Sequence, residues 1–272
     1  MASLSSFKKI TDELETTDSK MPVLFIGHGN PMNAVEENEF SKTWIDIGKT
    51  LPLPKAILCV SAHWQTKGTK VTAMEKPKTI HDFYGFPQEL FDKQYPAPGS
   101  PSFAKETQQV IKKSNVELDY EWGLDHGCWS VLTRLYPDAT VPVYQLSLDY
   151  TQPPEYHYNL SKELSELRKK GVLIIGSGNI VHNLGMMQWN NAAFDWAKEF
   201  DAQIKNYIES GNHQPIIHYE KFGAVAKLAI PTNEHYLPLL YSLALQEKNE
   251  SISFFSEKTV MGSISMRSLK IS

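Results

Sequence analysis

Short apolar runs alternate along the chain with longer segments in which apolar residues recur every three or four positions. The runs that predict buried strands cover residues 22–27, 55–62, 69–74, 141–147 and 172–177. Strands that alternate with helices predict βαβ units. We therefore expect an α/β fold in which a mixed, largely parallel central sheet is flanked by helices.

Four helices are predicted from the apolar spacing and from residues that start or stop helices. Two of them cover about residues 160–171 and 194–211, and each ends at a glycine, which commonly follows a helix C-terminus. A third begins at the pair Ser100-Pro101, with the serine as N-cap, and a fourth runs from about His235 to Glu247. The tail, residues 251–272, predicts a strand pair that adds an antiparallel edge to the sheet.

The organisation along the chain indicates one domain over residues 21–272, preceded by a polar extension over residues 1–20. The segment 75–101 departs from the regular alternation, since it holds five prolines, several Phe and Tyr rings, and His81. Proline restricts it to extended and turn conformations, which predicts a long ordered loop. Its rings either receive a flat aromatic substrate or pack the loop onto the body, and the sequence leaves both interpretations open.

Composition and charge narrow the class of protein. Hydrophobic residues make up 41% of the chain and charged residues 21%, as in ordinary globular proteins. The net charge of −4 gives no electrostatic reason to expect nucleic acid or an anionic membrane as a partner. No apolar stretch approaches the ~20 residues that cross a bilayer, and residues 1–20 lack the apolar centre of a signal peptide. Cys59 and Cys128 form no disulfide scaffold, so we expect a cytoplasmic protein.

Four histidines follow or lie near the ends of apolar runs, where open α/β sheets place their chemistry. They are His28 in GHGNP, His63 in SAHW, His182 in GSGNIVHNL and His235 in NEHYLPLL. Imidazole is the commonest metal ligand in proteins. We therefore expect a metal site at the C-terminal ends of the strands, with His28 and His63 supplied by neighbouring strands.

The third ligand is open at this point, because Glu234 and His235 are adjacent. Two histidines and a carboxylate would form the facial triad of non-haem Fe(II) oxygenases. Three histidines would resemble a catalytic zinc site. His182 is interpreted as a site residue above the metal, either a fourth ligand or a general acid/base.

Two further motifs have alternative interpretations that we disfavour. The segment GSGNIVHN half-matches the dinucleotide fingerprint GxGxxG, but Val181 replaces its third glycine, so NAD binding is not expected. In DHGCW, Cys128 and His126 are two residues apart, which is poor geometry for a nucleophile and its base. We expect Cys128 to be a small buried side chain. The remaining histidines are expected at the surface: His157, His213 and His218.

Six ordered motifs together resemble the class III extradiol ring-cleavage dioxygenases, and in particular their DOPA 4,5-dioxygenase type. The motifs are GHGNP, SAHW, TIHDFYGFP, DHGCW, GSGNIVHNL and NEHYLPLL. The resemblance runs from about Pro22 to the C-terminus and leaves only the first twenty residues outside it.

The resemblance implies a role for each histidine of these motifs. His28, His63 and His235 would be the metal ligands, with Glu234 in reserve. His182 would be the acid/base histidine, which can also approach the metal as a fourth ligand. The last two histidines would lie in the substrate pocket, His126 with a share in catalysis and His81 as a weaker candidate.

The implied activity is ring opening of a catechol such as L-DOPA by O2, with 4,5-cleavage to a muconic semialdehyde. One divalent metal per chain is implied, with Fe(II) needed for activity and Zn(II) able to occupy the site. We expect a monomer or small homo-oligomer with small-molecule substrates and no nucleic-acid or membrane partner. The alternatives are a zinc-dependent hydrolase and a non-catalytic member of the superfamily that binds a metal or ligand.

Overall fold

The computed structural model describes residues 20–189 and 192–272. The predicted polar extension over residues 1–20 lies outside these ranges, apart from its last residue. Within the described ranges no helix is both long enough and apolar enough to cross a membrane.

The strands of the described ranges are short. In chain order they are β1 (Val23–Gly27), β2 (Ala56–Ser61), β3 (Gln65–Thr66), β4 (Thr69–Thr72), β5 (Val116–Asp119), β6 (Val143–Gln145), β7 (Leu148–Asp149), β8 (Val172–Gly178), β9 (Ile252–Phe255), β10 (Thr259–Val260), β11 (Ile264–Ser265) and β12 (Ser268–Ile271).

The α-helices lie between and around these strands. In chain order they are α1 (Glu39–Thr50), α2 (Gln88–Asp92), α3 (Pro101–Val110), α4 (His126–Leu135), α5 (Pro154–Lys162), α6 (Ser165–Lys169), α7 (Asp195–Glu209), α8 (Gln214–Ile217), α9 (Ala224–Ala229) and α10 (Leu237–Leu243). Single 3-10 turns cover Pro31–Ala34, Leu184–Met186 and Tyr219–Phe222.

The central sheet has the strand order β6-β2-β8-β1-β12-β9. The pairs β6–β2, β2–β8 and β8–β1 are parallel, whereas β1–β12 and β12–β9 are antiparallel. The mixed, largely parallel sheet and the antiparallel edge built by the C-terminal tail are therefore confirmed. In the parallel part, Gly27 on β1 is in register with Gly178 on β8, and Ser61 on β2 with Ser177.

Both faces of the sheet are covered, which explains why its strands are continuously apolar rather than alternating. Along β1, Val23 and Phe25 belong to one buried cluster, and Leu24 and Ile26 belong to the other. The first cluster packs against α5, α7 and α10, and the second against α1 and α4. The sheet is thereby packed on both faces, which fixes the positions of the residues at its strand ends.

Several details differ from the predictions. The run over residues 69–74 is not part of the central sheet, because β4 pairs with β5 in a separate two-stranded sheet. The segment 160–171 is broken into α5 and α6. Helix α1 and strand β5 were not predicted. The capping box between Asn38 and Ser41 at the start of α1 was the available signal.

Candidate metal centre and active site

The end of β8 organises the site, because it lies between β1 and β2 and bonds to the loops after both. The backbone N–H of His28 donates to Gly178 O at 3.1 Å, and that of Ala62 donates to Ser177 O at 3.0 Å. The N–H of Asn179 donates to His235 O at 2.8 Å, which fixes a third loop on the same strand end. The expectation that His28 and His63 follow neighbouring strands is wrong, since β8 separates those strands.

The glycines of the GSG segment have a packing role. A Cβ at Gly178 would lie 2.1 Å from His235 O, and one at Gly176 would lie 2.3 Å from Pro238 O. The backbone of the loop that carries His235 therefore rests directly on β8, and no larger residue fits between them. This close approach accounts for the half-matched dinucleotide fingerprint.

Three imidazoles from the three loops form a nearly equilateral triangle. The ring centroids are 5.1 Å apart for His28 and His63, 5.2 Å for His28 and His235, and 5.0 Å for His63 and His235. Imidazoles that bind one ion through nitrogen at ~2.1 Å have ring centres about 5 Å apart. The Nε2 atoms of His28 and His63 are 3.2 Å apart, as expected for two ligand atoms of one ion. These residues therefore fit a single metal ion.

The Nδ1 atom of each ring lies close to an oxygen. His28 Nδ1 lies 3.0 Å from Ser177 Oγ, whose hydroxyl donates to Gly127 O, so the ring must donate to the serine. His63 Nδ1 lies 3.4 Å from a carboxylate oxygen of Asp82. An acceptor or a negative charge near Nδ1 favours the proton there and leaves the Nε2 lone pair free, which is the usual arrangement around metal-binding histidines.

His235 has the same arrangement, with Nδ1 3.1 Å from Glu234 Oε1. This carboxylate oxygen also accepts the hydroxyl of Thr232 at 3.0 Å. Glu234 is thus a hydrogen-bond partner of His235. The pKa of His235 lies well below its usual value because of burial and the neighbouring histidines. Burial likewise lowers the pKa of His28 strongly and that of His63 to about 3, so the rings are neutral as ligands must be.

His182 lies against this triangle without completing it. Its ring stacks on His235 with a centroid distance of 3.5 Å and an interplanar angle of 7°. Two sets of donors have all their ligand atoms within 4.8 Å of one another: His28, His63 and His126 in one, and His182, Glu234 and His235 in the other. In each set one ring pair is too close for two ligands of one ion, at 3.8 Å for His63–His126 and 3.5 Å for His182–His235. The equal spacing therefore favours the triangle over either set.

Two carboxylates lie around His126, the buried Asp125 and the half-buried Asp82. The N–H of His126 donates to Asp82 Oδ1 at 2.9 Å, and Asp125 caps α4 by accepting from Cys128 N at 3.1 Å. Ser61 and Gln145 also donate to Asp125, at 2.6 and 2.7 Å. Burial raises the pKa of Asp125. Burial also opposes ionisation of Asp82, but hydrogen bonds from His126 outweigh it and lower the pKa of Asp82.

His81 lies in the aromatic part of the proline-rich loop. Its Nε2 atom lies 2.8 Å from Lys93 O, and its ring contacts Phe83, Phe91 and Trp129. These contacts favour the packing interpretation for this part of the loop. Phe83 nevertheless makes an edge contact with His126, at 5.5 Å between centroids, so the loop borders the site. A substrate contact of His81 stays a prediction.

Of the three histidines expected at the surface, only His157 clearly contradicts the expectation. His157 is completely buried, and its Nδ1 lies 3.1 Å from the hydroxyl of Tyr241. His213 and His218 are half-buried. The polar residues around His157 misled its prediction, because α5 turns it inward against α10. Cys128 is buried as expected, with a free thiol, and so is Cys59.

The oxygens that contact the Nδ1 atoms of the triangle were not predicted from the sequence. Asp82 lies inside the motif TIHDFYGFP, next to His81, and Ser177 lies between the two glycines of GSG. A polar residue flanked by motif residues was the available signal for both.

A largely parallel sheet with convergent imidazoles at its strand ends defines a metal-dependent α/β enzyme. Residues 22–266 match the family described as the catalytic LigB subunit of aromatic ring-opening dioxygenase. The chain belongs to this family, and its enzyme class is the non-haem metal-dependent extradiol dioxygenases. The resemblance inferred from the six motifs is thereby confirmed.

Individual relatives agree with this assignment. A protein of Escherichia coli (strain K12) named 4,5-DOPA dioxygenase extradiol is 44% identical over 268 residues, which cover 96% of this chain and 98% of that protein. A protein of the same name from Beta vulgaris is 35% identical and covers 93% of this chain and 97% of its own length. The crystal structure of an uncharacterized protein from Escherichia coli K12 has a TM-score of 0.82 at 41% identity, covering 93% of this chain and 100% of that one.

Proposed function

We propose that this extradiol dioxygenase acts on L-DOPA or a close catechol relative and opens the ring by 4,5-cleavage to a muconic semialdehyde. The proposal is supported by relatives named 4,5-DOPA dioxygenase extradiol that align over nearly their whole length. The observation that carries it is the triangle of His28, His63 and His235, whose Nδ1 atoms are all directed at oxygens.

The three Nε2 atoms of this triangle would hold one divalent ion, and we propose Fe(II) for the active enzyme. Bound Fe(II) would supply binding positions for the catechol oxygens. It would also exchange electrons with O2, which a catechol with paired electrons does not do readily on its own. Zn(II) fits the same nitrogen donors but has no redox chemistry. The zinc-loaded protein is therefore inactive in ring opening.

His182 is proposed as the base that removes a proton from a catechol hydroxyl. Burial lowers its pKa to about 4, against the opposing effect of Glu234. The ring is therefore neutral at pH 7, and its free nitrogen is available to accept a proton. Stacking on His235 holds it beside the metal ligands without using it as one.

His126 is proposed as the second pocket histidine, on the other side of the triangle. Its ring lies 3.8 Å from His63 and 5.9 Å from His28, measured between centroids. Its Nδ1 atom is 3.1 Å from a carboxylate oxygen of Asp82. The opposite nitrogen is left for the substrate or for a proton in the later steps of ring opening.

The test is reconstitution of metal-free protein with Fe(II) under anaerobic conditions, followed by L-DOPA and oxygen. We expect one O2 consumed per L-DOPA, with the yellow absorbance of a muconic semialdehyde. The zinc-loaded protein serves as the control and gives neither signal. Absence of oxygen uptake from the Fe(II) protein across L-DOPA, dopamine and simple catechols would overturn the proposal.

A further inference from the structure

One carboxylate serves two histidines of the site that come from different parts of the chain. The Oδ2 atom of Asp82 lies 3.4 Å from Nδ1 of His63 and 3.1 Å from Nδ1 of His126. The other oxygen, Oδ1, accepts the backbone N–H of His126 at 2.9 Å. Asp82 therefore contacts a proposed metal ligand and a proposed substrate-pocket residue at once.

A carboxylate at this distance favours one tautomer of both rings through its charge, although His126 Nδ1 makes no hydrogen bond with it. An ionised carboxylate only accepts hydrogen bonds, whereas a neutral imidazole has one donor and one acceptor nitrogen. Protons at both Nδ1 atoms are favoured next to Oδ2, so both Nε2 atoms carry lone pairs. For His63 that lone pair is the one that faces Nε2 of His28, at 3.2 Å.

The carboxylate is held in place by contacts of the residues on both sides of it. The N–H of Ile80 donates to Leu124 O at 2.7 Å, and the indole N–H of Trp129 donates to Ile80 O at 2.8 Å. On the other side, the ring of Phe83 contacts that of His126. The proline-rich loop is therefore fixed to the start of α4 on both sides of Asp82. A fixed acceptor favours one tautomer more strongly than a mobile one.

We propose that Asp82 is a positioning residue that sets the tautomers of His63 and His126 together and so ties the proline-rich loop to the metal centre. This inference rests on the proposed function only in taking His63 as a ligand. A purely structural role, in which Asp82 caps the N–H of His126, makes a different prediction for its substitution by asparagine.

Asp82→Asn separates the two roles. The amide oxygen of asparagine still accepts the N–H of His126, so capping is retained. Its NH2 group then takes the place of Oδ2 and donates to the two Nδ1 atoms, which favours the opposite tautomer in both rings. Reversing the amide would set its NH2 group against the N–H of His126, which is unfavourable because both groups are donors.

We expect Asp82→Asn to bind Zn(II) or Co(II) about 10- to 100-fold more weakly in a chelator competition, as is usual when such an outer partner is lost. In the metal-free protein, the ring 15N shifts of His63 and His126 should move from the Nδ1–H to the Nε2–H pattern. Thermal stability should stay close to that of the wild type. The matched control is Asp92→Asn in the same loop, whose exposed carboxylate accepts from Gln88.

The outcomes distinguish this inference from the proposed function. If wild-type protein binds no stoichiometric metal, the proposed centre itself fails. If the wild type binds metal and Asp82→Asn keeps its affinity within twofold and its Nδ1–H tautomers, Asp82 has only the capping role and the inference is overturned. Weaker metal binding with unchanged tautomers would also contradict it, because the effect would then not pass through the rings.

Discussion

The rings of His182 and His235 are stacked, with centroids 3.5 Å apart and planes inclined by only 7°. The lone pairs of an imidazole lie in the plane of its ring. Two parallel planes at this distance do not intersect at an ion, so the two rings cannot both be well-aligned ligands of one metal. Since His235 belongs to the equilateral triangle, we propose that His182 is the ring left free for proton transfer.

The first prediction concerns the different roles of these two stacked rings. We expect His182→Ala to bind Zn(II) with nearly wild-type affinity and to lose about 10²- to 10⁴-fold in kcat when loaded with Fe(II), as for loss of a general base. His235→Ala should lose the metal itself. Chelator competition and oxygen uptake measure the two effects. Loss of metal binding in His182→Ala would contradict the assignment and make His182 a ligand.

The strand ends at which the histidines lie were largely predictable from the sequence, because an apolar run followed by a polar residue indicates the end of a buried strand. His28 and His63 were located in this way. The order of the strands was not predictable, since nothing local shows that β8 lies between β1 and β2. The partners of the rings were also missed, because Asp82 and Ser177 reach their histidines across 19 to 149 positions of the chain.

The sequence also did not predict which polar residues are buried. His157 lies among tyrosines, a glutamate and an asparagine along the chain, which suggested a surface position. In the fold it faces α10, and the hydroxyl of Tyr241 satisfies its Nδ1 atom. A buried hydrogen bond to a residue 84 positions away leaves no periodic signal in the sequence.

The second prediction concerns Ser177, whose hydroxyl orients the ring of His28. Ser177→Ala removes the acceptor at Nδ1, so the Nε2 lone pair is no longer enforced. We expect about 10- to 100-fold weaker Zn(II) binding. The control is Ser242→Ala, which removes another buried hydroxyl bonded to a backbone carbonyl, that of Leu24. If both variants bind metal like the wild type, Ser177 has no part in positioning His28.

The third prediction concerns Gly178, on which the loop of His235 rests. An alanine Cβ would lie 2.1 Å from His235 O, which is backbone and cannot rotate away. We expect Gly178→Ala to lower the melting temperature and to weaken Zn(II) binding at least about tenfold, because His235 must shift. The control is Gly185→Ala, where the nearest atom to the added Cβ is 3.4 Å away. Wild-type affinity in Gly178→Ala would show that the loop adapts without moving the ligand.

The last prediction concerns acid stability and the buried guanidinium of Arg168, which donates to Met21 O, Leu245 O and Glu250. Burial alone would raise the pKa of Glu250, but hydrogen bonds from Arg168 and Lys20 hold it at about 2, below the usual 4.5. Because the folded pKa is the lower one, this stabilisation is present above pH 4.5 and is lost as the pH falls towards 2.

Glu250→Gln leaves the buried cation unpaired and should cost about 3 kcal/mol at pH 7. Urea denaturation at several pH values measures this, with the half-exposed Glu247→Gln as control. An unchanged slope of stability against pH between 4.5 and 2 in Glu250→Gln would show that another carboxylate governs acid unfolding.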